Sequence, residues 1–224
     1  MATITALQAD KRKRDRVDVF LDGDRAFSLA STLAAGLGVG QPLDEAAIAR
    51  LQQEDEVRHA IDKAARFLAY RPRSVAEVRR NLGRKGFTDA AIAAALERMT
   101  QQGWLDDVAF ARFWVEDRLR FRPMGRRALG YELRQKGVAT EIIESALVEV
   151  DSLDAARRAA RRSLSRRRGE TPEKLRRKLW DSLQRRGFEA DLCREVVEEL
   201  LTEAGEDEPA FPASRQEDYP TWNT

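Results

Sequence analysis

The sequence predicts a mainly α-helical protein: three tandem three-helix repeats behind a small N-terminal region that contains a β-hairpin. Three observations carry this. The segments "GRKGF", "RQKGV" and "QRRGF" place Gly86, Gly137 and Gly187 at spacings of 51 and 50 residues, which is a repeat period. Apolar residues stand four and eight positions before each glycine and six and ten after it, the spacing of one helix face on either flank. The first 56 residues instead alternate Val17, Val19 and Leu21 ahead of Asp22-Gly23, a hairpin signal.

After the hairpin, which continues through Ala26, Phe27 and Leu29, short helices are expected over 30–36 and from Asp44 to about Leu51, joined by "GLGVGQPL". The Gly-x-Gly-x-Gly at 36–40 follows no strand directly and has no Gly-Lys-Ser/Thr, so it reads as a plain turn rather than a phosphate loop. The expected divisions are an N-terminal extension over 1–56, repeats over 57–106, 107–152 and 153–203, and a disordered acidic tail over 204–224.

Within each repeat the first helix is expected near 57–70, 108–121 and 154–168. Arg71-Pro72 and Arg122-Pro123 break it in the first two repeats, because proline disfavours helix at the preceding residue, and "RRRGETPE" does so in the third. The second helix starts at Ser74 and Glu77 as a capping box, and at Thr171-Pro172 as an N-cap with proline at N1. It stops at the repeat glycine, the left-handed C′ residue of a Schellman turn, with Leu82 and Phe87, Leu133 and Val138, and Leu183 and Phe188 touching across the turn. Thr88 and Thr140 are expected to cap the third helices. Val78, Leu129 and Leu179, with Ile92, Ile143 and Cys193 and with Leu96, Leu147 and Val197, complete the apolar columns.

At 224 residues the chain can bury a core without disulfides or metal. A single cysteine, Cys193, and a single histidine, His59, exclude a disulfide framework and a Cys/His metal cluster within one chain. No apolar run of membrane-spanning length and no signal peptide is visible, so a cytoplasmic protein with no membrane contact is expected. The net charge of +2 hides a partition: residues 1–56 carry −3, 57–150 carry +6, 153–188 carry +9 and 189–224 carry −9. Such asymmetry points to a polyanionic or acidic partner and a counter-charged tail.

Chemistry is hard to assemble. Asp106-Asp107 suggests paired carboxylates, but adjacent helical side chains do not face each other, and Asp107 reads as an N-cap before Phe110. Trp104, Phe110, Phe113 and Trp114 read as inter-helix core. No nucleophile, base and orienting group come together, so neither an enzyme nor a cofactor is expected.

The segments "YRPRSVAEVRRNLGRKGF", "GWLDDVAFARFWVEDRL" and "RPMGRRALGYELRQKGV" resemble the RecX family, bacterial regulators of the RecA recombinase. Arg71, Pro72, Arg73, Ser74, Leu82, Lys85, Gly86 and Phe87 match, as do Gly103, Leu105, Asp106, Asp107, Phe110 and Ala111. The third repeat keeps Leu183, Arg186, Gly187 and Phe188, with Cys193 where an aliphatic residue is usual. The resemblance implies a non-enzymatic modulator lying in the groove of the RecA filament on single-stranded DNA, inhibiting ATP hydrolysis and strand exchange in recombination and the SOS response. Stacked repeats suit an elongated, curved body spanning filament subunits, and a monomer is expected. A stand-alone DNA- or RNA-binding helical module and a structural adaptor are the alternatives.

The candidate partner- or DNA-binding residues are basic. Arg71, Arg73, Arg79, Arg80 and Arg84 of the first repeat, with Arg122, Arg126, Arg127 and Arg134 of the second, form a larger basic set in which charge recurs in two units. Lys85, Lys136 and Arg186 flank the repeat glycines, where stabilising the helix C-terminus accounts for each without a ligand. The third repeat adds Arg157, Arg158, Arg161 and Arg162 at helical spacing, followed by Arg176 and Arg177. Like charges at that spacing repel, and an acidic groove or phosphate backbone would relieve the cost; a solvated face is the plain alternative, and the acidic tail could also fold over the patch as an internal mimic.

Overall fold

The computed structural model describes residues 1–10, 13, 15–165 and 170–206. It divides into two compact units: one holds residues 1–113 and 133–143, the other 114–132 and 144 onward. Among the described residues no helix is long and apolar enough to cross a membrane.

The first unit begins with an antiparallel sheet of β1 (Ala2–Ala9), β2 (Arg16–Leu21), β3 (Asp24–Ala30) and β4 (Pro42–Leu43), in the order β3-β2-β1-β4. Asp22 and Gly23 both take positive φ, 49° and 100°, so the expected hairpin closes through a turn that matches strand twist. β1 is a strand the sequence reading missed. Between Ile4 and Ala6 its register with β2 shifts; this bulge lets Ile4 and Leu7, three residues apart, both join the sheet core with Val19 and Leu29, and it breaks the alternation that marks a strand.

α1 (Ser31–Ala34) is brief, and α2 runs unbroken from Glu45 to Leu68. The two helices expected over 44–51 and 57–70 are therefore one, because no glycine or proline interrupts "RLQQEDEVRHA". The Asp44 side chain accepts from Ala47 N at its start, 2.6 Å. Residues 56 and 57, the expected division between extension and first repeat, lie inside it. α2 serves both: Ile48 and Leu51 pack on the sheet, whereas Val57, Ala60 and Ala64 pack in the first helical core. Buried Asp55 fastens it to the sheet, accepting from Ala30 N at 2.6 Å and Arg16 Nη2 at 2.9 Å.

α3 (Val75–Arg84) and α4 (Asp89–Gln101) complete the first repeat, where Val78, Leu82, Ile92, Leu96 and Met99 join the α2 residues. Each fully buried aliphatic side chain stabilises by about 1.5–3 kcal/mol. Ser74 and Glu77 form the expected capping box and Thr88 caps α4. α5 (Asp107–Phe121), α6 (Arg126–Lys136) and α7 (Thr140–Val148) follow, each contributing residues to both units. Thr140 is the first residue of α7 and Ala139 O accepts its opening bond, so the expected threonine cap is shifted by one.

In the second unit α8 (Ser152–Leu164), α9 (Pro172–Arg185) and α10 (Ala190–Glu206) enclose Ala156, Ala160, Leu179, Leu183, Phe188, Cys193 and Val197. Thr171 stands at the N-cap of α9 with Pro172 at N1, but its side chain makes no cap bond. Residues 166–169 of the expected interhelix break, and the acidic tail from 207 on, lie outside the described residues.

The repeat glycines stop α3, α6 and α9 as the spacing requires, with φ of 84°, 81° and 79°. Phe87, Val138 and Phe188 each donate back to the leucine carbonyl five residues earlier, at 3.4, 3.2 and 3.3 Å. Gly103 ends α4 in the same way, with Trp104 N on Met99 O at 2.8 Å. Two of the glycines have a second role, in stacking. In the first unit Gly137 lies against Ala76 and Ser74 Oγ donates to Lys136 O, 2.6 Å. In the second, Gly187 lies against Ala128 and Gly125 N donates to Arg186 O, 2.9 Å. The turn closing one repeat thus seats on the N-terminal end of the preceding repeat's middle helix, where a side chain at the glycine would collide. Gly86, with no repeat before it, meets nothing.

Candidate partner-binding surface

The apolar columns decide which cations face outward. On α3, burial of Val78 and Leu82 leaves Arg79 and Arg84 exposed, with Lys85 exposed at its C-cap; on α6, burial of Leu129 and Leu133 leaves Arg127 and Arg134 exposed; on α9, Leu175, Leu179 and Leu183 leave Arg177 exposed. With Arg122 between α5 and α6, these seven have no acidic partner among the described residues. Arg80 is also exposed and reaches only Gln135 O, at 3.4 Å.

The other predicted site residues have partners within the chain. Arg71, Arg73 and Lys136 converge on Glu77, at 2.8, 4.0 and 3.1 Å, while Glu77 also closes the capping box. Burial opposes ionisation of Glu77, but hydrogen bonds from Arg71 and Lys136 outweigh it and hold the carboxyl at about 2. Arg126 donates to Val148 O and Val150 O at the end of α7, and Arg186 to Pro123 O at 3.2 Å.

The third repeat relieves its own repulsion. Arg157 pairs with Glu199 at 3.0 Å, Arg161 with Glu203 at 3.3 Å and Arg176 with Glu198 at 3.0 Å, all glutamates of α10. Arg158 pairs with Asp154 and donates to Leu119 O. Arg162 donates to Phe121 O and Arg120 O at 2.8 and 3.1 Å, so these two arginines supply donors and positive charge where the end of α5 needs both. The acidic counterpart expected in a partner is here the chain's own last helix. The sequence carried a signal of it: Arg157 and Arg161 are four apart, as are Glu199 and Glu203, so two helix faces present matching charge patterns.

Residues 60–99, 106–147 and 149–197 match the RecX first, second and third three-helix domains in turn. The protein named regulatory protein RecX from Lactobacillus johnsonii is 34% identical over 222 residues, 96% of this chain and 81% of its own length. The chain belongs to the RecX family. A Prosthecochloris aestuarii relative, also named regulatory protein RecX, is 40% identical over 149 residues, 66% of this chain and 98% of its own. A crystal structure of regulatory protein RecX shares the fold with a TM-score of 0.71 at 24% identity, over 88% of this chain and all of the other. RecX from Lactobacillus salivarius gives 0.58 at 21% identity, over 66% of this chain and 97% of the other.

Several expectations about the RecX repeats need correction. Of the aromatics read as core, Phe110 is buried, but Trp104 and Phe113 are 54% and 41% exposed. Phe113 stands on an exposed side of α5 and Trp104 in the turn after Gly103, between α4 and α5. Trp114 is half-buried and polar in its contacts: its indole donates to Glu132 at 2.8 Å, and the Arg118 guanidinium lies 4.1 Å over its ring. Asp106, not Asp107, caps α5, accepting from Val108 N and Ala109 N. Asp107 instead accepts from Val75 N at 2.9 Å and so helps cap α3; burial pushes its carboxyl up, against that hydrogen bond. Neither aspartate is placed for general acid–base work with the other. Burial pushes the Cys193 thiol up as well, as suits a small apolar core residue. Among the described residues no group of three or more metal-ligating side chains is assembled.

Proposed function

We propose that the protein binds the RecA filament on single-stranded DNA as a monomer and restrains ATP hydrolysis and strand exchange, acting without chemistry of its own. Family membership over nearly the whole chain, with relatives named as regulatory proteins, supports a regulatory role. The observation that carries the binding mode is the division of the cations: the middle helix of every repeat keeps at least one exposed cation with no internal acid, Arg79 and Arg84 on α3 with Lys85 at its C-cap, Arg127 and Arg134 on α6, and Arg177 on α9. Open cations on or at the end of the middle helix of each tandem unit suit a partner that is itself repetitive and acidic, such as a filament groove or a phosphate backbone.

The test measures DNA-dependent ATP hydrolysis by the cognate recombinase with and without the protein, beside binding of the protein to bare DNA. Hydrolysis should fall with added protein. Unchanged hydrolysis at concentrations where the protein holds DNA tightly would sink the filament reading and leave a stand-alone nucleic-acid module. Arg84→Glu and Arg127→Glu should weaken inhibition while leaving helicity intact.

A further inference from the structure

The geometry points to a cleft in the third repeat that takes an unstacked base of single-stranded nucleic acid, with Trp180 as its stacking platform. The sequence reading passed over Trp180. It lies on α9 three residues beyond Arg177 and four beyond Arg176, so the three share one face of the helix. Its ring is only partly buried and packs on the third-repeat core. Across from it α10 presents Val197, buried in that core, with Arg194 three residues before it. The two faces flank an open cleft of about 430 Å³, within the roughly 300–1,000 Å³ of small-ligand sites.

The cleft therefore has an apolar, aromatic floor, with three guanidinium groups and the carboxylates of Glu173 and Glu198 also lining it, so cations outnumber acids by one. Arg177 has no acidic partner among the described residues. Arg176 is paired with Glu198 and Arg194 with Asp191, but the arginine side chains are 59% and 67% exposed. Exposed pairs of this kind are weak, so a phosphate can replace either glutamate or aspartate at little cost. A π-face beside cations that track a backbone is the general design of sites for single strands. A duplex offers no free base face here. An acidic peptide would satisfy the arginines but leave the indole without a planar partner. The inference extends the filament reading, in which the partner carries single-stranded DNA, but it is tested apart from it.

The test uses the full chain and a fluorescein-labelled single-stranded oligothymidine, without recombinase, read by anisotropy. Trp180→Leu should weaken binding about 5- to 150-fold, the loss of one stacked base. Trp180→Phe should keep most of the affinity. Arg177→Glu should weaken binding and lower the slope of log affinity against log salt by about one. Trp104→Leu, at an exposed tryptophan outside the cleft, should change nothing. If Trp180→Leu loses its helical circular dichroism, the exposed Arg177→Glu variant and an abasic strand decide the question. An abasic strand bound as tightly as oligothymidine, no binding of oligothymidine at all, or equal affinity for polyglutamate would each overturn the proposal, the last by assigning the cleft to an acidic peptide. Loss of the oligothymidine effect with recombinase inhibition intact removes the cleft alone, and the converse removes the filament reading alone.

Discussion

Replacing the three repeat glycines one at a time by alanine separates their two roles. All three have φ near 80°, so each alanine carries the left-handed penalty of about 1–2 kcal/mol. At Gly86 nothing lies within 4 Å of the added methyl, and that penalty is the whole cost. At Gly137 the methyl runs into the Ala76 side chain, which has no rotamer to turn away, and overpacking adds about 1–3 kcal/mol. At Gly187 it meets both the Ala128 side chain and, at 2.6 Å, the Ala128 backbone nitrogen, so the cost should be at least as large. The expected order of destabilisation is Gly86 below Gly137, with Gly187 at or above Gly137, by about 1–2 and then about 2–5 kcal/mol. Guanidinium unfolding followed by circular dichroism reads this as a shift of midpoint at constant m-value. Ala76→Gly added to Gly137→Ala should recover most of the overpacking part, less up to about 1 kcal/mol for a glycine in the first turn of α3. Equal losses at all three positions, or no recovery in the double variant, would show that the glycines only stop helices and that their seating on the preceding helix contributes nothing.

The Glu77 hub predicts an acid limb of stability. Its carboxyl is held at about 2 against an ordinary 4.5, so its contribution, at most about 3 kcal/mol, is fully present above pH 4.5 and is lost as pH falls toward 2. Glu77→Gln should therefore lower stability at pH 7 far more than at pH 2.5, and an equal deficit at both would refute the hub. Arg162→Ala should cost about 0.3–1 kcal/mol by removing charge from the C-terminal end of α5, while leaving inhibition of ATP hydrolysis unchanged; Arg84→Glu should do the reverse. A filament-binding defect in Arg162→Ala without loss of stability would return the third-repeat arginines to the binding surface.

Much of the helical architecture was legible because its signals are local. A glycine at C′ with apolar residues at C3 and C″ stops a helix wherever it occurs, and three such stops at a fixed period count three units. Ser74 with Glu77, and Asp22 with Gly23, act over four residues or fewer and were read directly. Gly103 carries the same stop between Met99 and Trp104 and was open to the same reasoning. Features that join distant segments stayed hidden. The bulge in β1 moves Leu7 to the core side through its pairing with β2, and α2 continues past residue 56 because two cores share it.

The candidate surface divides the same way. Sequence alone determined that the chain is rich in arginine on helices and that their apolar columns face inward. It could not say which arginines have partners within the chain. Whether a guanidinium is open depends on what lies within 3–4 Å of it, and the groups that answer Arg157, Arg161 and Arg162 are 41 or 42 residues away in the chain. Tertiary structure turned Arg71, Arg73 and Lys136 toward one glutamate and the third-repeat arginines toward α10 and the end of α5. It left Arg79, Arg84, Lys85, Arg127, Arg134 and Arg177 facing out, because charge pairing is decided by distance in space and a helical pattern fixes only distance along one face.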